Sequence, residues 1–88
     1  MKVEFKNSFA KDLQKIKEGK IKGQVSDVIE QVEGADDLQS LRNLKKLHGV
    51  DNYYRIKLGD YRIGLIVEKD VIIFVRLLQR KDIYRYFL

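Results

Sequence analysis

Polar and apolar residues alternate from Lys2 to Lys6, with Val3 and Phe5 on one side. This predicts a short strand with one buried face. Asn7 and Ser8 follow, both good helix N-caps. Phe9, Leu13 and Ile16 then recur at helical spacing, and Gly19 can end that helix. A second stripe runs Ile21, Val25, Val28, Ile29, Val32 and stops at Gly34. Together they predict an αα-hairpin. Leu38, Leu41 and Leu44 fall roughly on one side of a third, shorter helix that Asp36 or Asp37 can cap.

From Tyr53 the period becomes two. Tyr54, Ile56 and Leu58 alternate with Tyr53, Arg55 and Lys57, up to Gly59-Asp60. Gly before Asp in a two-residue loop suits a type II′ hairpin turn. Tyr61 to Val67 alternates again, and Val71–Leu78 is apolar nearly throughout, as in a central strand. The last ten residues form either a helical turn or an extended tail. The expected fold is one α+β domain over residues 1–88. It has an N-terminal strand, a helical hairpin with a short third helix, and a three-stranded antiparallel meander.

The turns set the faces. A two-residue Gly59-Asp60 loop pairs Leu58 with Tyr61 and Lys57 with Arg62, so Arg55, Lys57 and Arg62 share a face. A three-residue loop, Glu68-Lys69-Asp70, would place Arg76 opposite Arg62. A two-residue loop would carry Arg76 to the apolar face, where charge is costly. The three-residue loop is therefore the expectation. It leaves Arg55, Lys57, Arg62 and Arg76 on the open face, together with Gly64, Ile66, Ile72 and Phe74.

Charge sharpens this picture. The 88 residues carry a net +5, spread as +4 over residues 1–22, −5 over 23–41 and +6 over 42–88. A basic chain suits polyanionic partners. No cysteine is present, which excludes a disulfide framework, a thiolate nucleophile and a cysteine zinc site. The single histidine, His48, argues against a histidine metal cluster. No run is apolar enough to span a membrane and no signal peptide is apparent, so a cytoplasmic protein is expected. No metal or cofactor is expected. Tyr84 follows Arg80 closely, and cations interleaved with aromatics suit RNA.

The residues Leu47-His48-Gly49, the block from Tyr54 to Ile63 (YRIKLGDYRI), Arg76, and Arg80-Lys81-Asp82-Ile83-Tyr84 resemble the RelE/ParE toxin superfamily of type II toxin–antitoxin systems. The resemblance covers essentially the whole chain. It implies a microbial-ribonuclease-type sheet with a helical hairpin on one face. It also implies a toxin that cuts mRNA in the ribosomal A site and is neutralised by an acidic antitoxin. By position it makes Lys57, Arg62, Arg80 and Tyr84 catalytic, with Arg55, Arg76 and Lys81 contacting RNA phosphate. Many members have Gly-His-Arg where this chain has Leu78-Gln79-Arg80, and Gln79 cannot carry a proton as a general acid or base. The alternative implied by the same resemblance is a ParE-type toxin that inhibits DNA gyrase by binding, with no nuclease activity.

Overall fold

The structure is a computed structural model that describes residues 1–49 and 51–87. The N-terminal strand β1 spans Lys2–Phe5. Helices α1 (Asn7–Lys15) and α2 (Gly19–Gly34) follow. A single 3₁₀ turn, Leu38–Ser40, leads to a three-residue strand β2, Leu44–Lys46. Strands β3 (Tyr53–Leu58), β4 (Tyr61–Glu68) and β5 (Val71–Gln79) form the meander, and α3 (Ile83–Tyr86) closes the chain. The sheet order is β1-β5-β4-β3-β2, with β1 parallel to β5 and the other pairs antiparallel.

The expected third helix is thus only a turn. Asp37 does cap it, accepting a 3.0 Å bond from the Ser40 amide. Leu44 belongs to a strand instead, and pairs with Ile56. Leucines three apart drift around an α-helix, and no helical face holds them together. The N-cap expectation for α1 also changes. Lys6 occupies the cap without a side-chain bond. The Ser8 hydroxyl instead donates 2.6 Å to the Val75 carbonyl on β5.

The first hairpin has the expected register, Leu58↔Tyr61 and Lys57↔Arg62. Gly59 has φ +59°, as the first central residue of such a turn requires. The second hairpin departs from expectation. Glu68 pairs with Val71 across a two-residue loop, and Lys69 takes φ +54°. Ile72 and Phe74 therefore point to the helices and are fully buried, rather than lying on the open face. A bulge then intervenes. Leu65 pairs with Phe74 but Gly64 pairs with Arg76, so Val75 is an extra residue. The bulge restores the phase: Leu77 returns to the core and Leu78 to the opposite face.

The main core lies between the sheet and the helical hairpin. Phe9, Ile21, Val25 and Val32 pack there on Ile56, Ile63, Leu65, Ile72 and Phe74. Phe5, Phe9 and Phe74 form an aromatic group, with Phe9 edge-on to Phe74 at 5.4 Å between ring centres. The Met1 ammonium donates to the carbonyls of Val32, Glu33 and Ala35, satisfying the end of α2.

The other sheet face is only half open. Ile83 and Phe87 fold back over it with Leu47, Tyr53, Ile66, Val75 and Leu78. Phe87 lies on Gly64, where an added Cβ would stand 2.8 Å from its ring. A glycine inside a strand here marks a close approach. Gly64→Ala is therefore expected to lower stability by about 1–3 kcal/mol. Chemical denaturation checks this, and adding Phe87→Leu, which vacates that space, should recover part of the loss.

Candidate RNA-cleavage face

β3 and β4 place Arg55, Lys57 and Arg62 on the uncovered part of that face. β2 adds a residue that the sequence reading missed. Lys45 pairs directly with Arg55, so it shares this face and is exposed. Its signal was hidden because a three-residue edge strand leaves too short a pattern to show a period.

Arg62 is the buried member, at 8% exposure. Its Nη1 donates to the carbonyls of Gly59 and Tyr61, both at 2.8 Å. The guanidinium is thereby fixed by the hairpin turn that follows from Gly59-Asp60. Burial lowers its pKa from the usual arginine value, and the positive charges of Arg55 and Arg80 lower it further. Tyr84 and Asp60 act in the opposite direction. An arginine stays protonated at neutral pH through such shifts. Arg55, Arg80, Tyr84 and Asp60 all lie within electrostatic reach of Arg62.

Arg55 is half-buried, and its Nη1 donates 2.8 Å to the Asn43 carbonyl. Its Nε is buried with no protein partner. Such a donor is expensive to leave unmade, and an anionic oxygen would satisfy it.

Arg80, Lys81 and Tyr84 line an open cleft with Asp60 and Gln79. Tyr84 is 57% exposed, so its ring and hydroxyl are available to a ligand. Asp60 enters this cleft because it sits in the β3–β4 turn. The sequence reading used it only as a turn residue.

Arg76 is a correction. It pairs with Gly64 rather than Arg62, and its guanidinium turns away from Arg62 to α1. Its Nε and Nη2 form a forked pair with Asp12 of α1, at 2.7 and 3.2 Å. Among the described residues this is the only ion pair. Asp12 is buried and also accepts from the Leu77 amide at 2.9 Å. Beyond Phe74, β5 has no β1 neighbour, and Ser8 and Asp12, one helical turn apart, bond to that bare edge. Arg76 is thus held by structure rather than presented to a polyanion.

His48 is exposed in the segment after β2 and lies outside the basic cleft, lining a surface depression with Lys46, Leu47, Gly49 and Asp51.

Residues 3–84 match the family model described as the ParE toxin of the type II toxin–antitoxin system parDE. The chain is 46% identical over 88 residues to Toxin RelE3 of Methanocaldococcus jannaschii, covering 99% of both chains. It is also similar to the RelB–RelE antitoxin–toxin complex from Methanococcus jannaschii, at 42% identity and a TM-score of 0.82, covering 97% of this chain and 99% of that one. The archaeal RelE–RelB complex from Pyrococcus horikoshii OT3 has the same fold at 24% identity and a TM-score of 0.73, over 90% and 93% of the two chains. The chain belongs to the RelE/ParE superfamily of type II toxin–antitoxin toxins.

Proposed function

We propose that this toxin is a RelE-type endoribonuclease that cuts mRNA in the ribosomal A site, in the cytoplasm, and is held inactive by a cognate acidic antitoxin. The observation that carries this reading is the buried, turn-anchored Arg62 beside Arg55, Lys57, Arg80 and Tyr84 on one uncovered face. The 46% identical relative is a RelE toxin, and two of the similar structures are RelE–RelB complexes.

The reaction is attack of an RNA 2′-hydroxyl on the adjacent phosphodiester. A 2′,3′-cyclic phosphate forms, and the bond to the 5′-oxygen breaks as that oxygen takes a proton from water. Arg62 neutralises the charge gathering on the phosphoryl oxygens, a task for which a fixed guanidinium is well matched. Arg55 holds the neighbouring phosphate. Lys57 or Tyr84 takes the 2′-hydroxyl proton, and Arg80 binds on the leaving side. Lys81 contributes a phosphate contact at the cleft rim. Gln79 carries no proton, so positioning by the ribosome supplies much of the rate.

The gyrase reading rests on the family model, which is described as ParE. Induced expression in a bacterium separates the two. The expected result is mRNA 5′ ends at A-site codons with plasmid supercoiling unchanged. Relaxed plasmid with intact mRNA would reject the nuclease.

A further inference from the structure

Arg62 is fixed by its own hairpin turn, whereas Arg55 is fixed from outside its strand. The acceptor is the carbonyl of Asn43, which stands immediately before β2. That carbonyl is used twice. The Lys57 amide donates to it at 3.1 Å, extending the β2–β3 ladder, and Arg55 Nη1 donates at 2.8 Å. A carbonyl oxygen has two lone pairs and can take both. The ladder bond aims the oxygen, and the guanidinium binds to what remains.

This bond decides which edge of Arg55 is offered. A guanidinium forks onto an anion through two parallel N–H groups. Arg76 shows one such edge in use, with Nε and Nη2 on Asp12. In Arg55 the Asn43 bond engages Nη1, so the Nε–Nη2 edge stays outside it. Its Nε has no protein partner.

Asn43 reaches this position at a cost. Its φ is +62°, in the left-handed region that L-residues avoid. Asn is one of the few residues besides glycine that enters it readily. Leu41 and Leu44 pack on the main core to either side, so the turn hangs between two anchors. Asn43 itself is exposed, and what it contributes to Arg55 is its backbone. Asn52 is a matched case. It has φ +68° just before β3, and its carbonyl accepts 2.9 Å from the Val67 amide. That bond joins backbone to backbone.

We propose that Asn43 is a positioning residue for RNA: its left-handed backbone holds Arg55 with the Nε–Nη2 edge free for the phosphate next to the one being cut. The proposal rests on the reading of this chain as an RNA-cutting toxin. A neighbouring phosphate keeps its charge throughout the reaction. Arg55 therefore grips it equally in the ground state and the transition state. Loosening Arg55 raises KM and spares kcat.

The test compares Asn43→Val, Asn43→Gly and Asn52→Val. Valine is stiff at Cβ and strained at positive φ, whereas glycine enters that region freely. Cutting of ribosome-bound mRNA is measured with thermal unfolding beside it. Asn43→Val should raise KM about tenfold with kcat little changed, the scale of one hydrogen bond from a charged group. Asn43→Gly should restore the parent's KM. Asn43→Ala, less strained, should lie between, and it decides the matter if the valine protein does not fold. Asn52→Val should lower Tm as Asn43→Val does and leave KM alone. In an Arg55→Met background, Asn43→Val should raise KM no further. An unchanged KM in the folded Asn43 variants, an equal rise in Asn52→Val, or a further rise without Arg55 would each overturn the proposal. The Arg55 Nε–H signal in NMR supplies a readout that needs no cutting. A short RNA with methylated 2′-hydroxyls, which cannot be cut, should shift that signal in the parent and in Asn43→Gly but not in Asn43→Val. A parent whose Arg55 signal responds in this way but which cuts no mRNA rejects the nuclease reading and keeps the positioning. A parent whose Arg55 signal stays in place rejects the positioning.

Discussion

Arg62→Ala should lower ribosome-dependent mRNA cutting by about 100- to 1000-fold, the usual loss when one preorganised charge contact is removed from a transition state. The structural reason is anchoring. Both hydrogen bonds from Arg62 leave Nη1 for the Gly59 and Tyr61 carbonyls, so the turn orients the guanidinium before substrate arrives. Burial, and then the charges of Arg55 and Arg80, lower its pKa, so the charge is less favourable there than in water. A phosphate that gains negative charge relieves it most in the transition state. The loss should therefore fall on kcat and kcat/KM together. Arg62→Lys should recover little, because an ammonium cannot hold two turn carbonyls and a phosphate in one plane. The check is single-turnover cutting of mRNA on ribosomes, with thermal unfolding run beside it. Unaltered cutting by a folded Arg62→Ala protein would remove Arg62 from the mechanism.

Most of this face could be read from the chain because parity and one turn determine it. Gly59-Asp60 sets the β3–β4 register, and strand period then places Arg55, Lys57 and Arg62 together. The rest depended on features without a local signature. Counting from a three-residue loop, Glu68-Lys69-Asp70, set Arg76 opposite Arg62; nothing in Val71–Leu78 marks Val75 as the insertion that sets it opposite Gly64, nor Asp12 as the partner that draws its side chain away. Lys69 at positive φ was equally silent, because glycine is the usual occupant of such a turn. The reluctance to place a charge on the apolar face was sound physics. The chain meets it with a bulge and a buried partner, not with a longer loop. Asp12 looked like one more polar position on an amphipathic helix. Its role appears only when α1 lies along the edge of β5. β2 was missed for length, and with it Lys45. The closing of the sheet face by α3 had one cue, Gly64 within an apolar strand, which meets Phe87.

Asp12→Ala should be the most damaging single change to stability. It leaves Arg76 without its forked partner and the Leu77 amide without an acceptor in the core. Breaking a buried ion pair by removing one member costs about 3–5 kcal/mol. A domain of this size loses about 4–8 °C of Tm per kcal/mol, so Tm should fall by roughly 12 °C or more. Natural domains hold about 5–15 kcal/mol in all, which makes the change serious for folding in the cell. Two further variants divide the effect. Asp12→Asn keeps an acceptor for Leu77 while losing the charge, and should lie between parent and Asp12→Ala. Arg76→Met combined with Asp12→Ala removes the stranded cation and should be more stable than Asp12→Ala alone. If the double change proves additive, Arg76 and Asp12 do not act as a unit. Arg76 would then be free to serve the RNA face, contrary to its place against α1. If coupling is found, Asp12 and Arg76 act as one unit at the edge of β5. The pair locks the end of β5, and Arg80 and Tyr84 follow it directly in the chain.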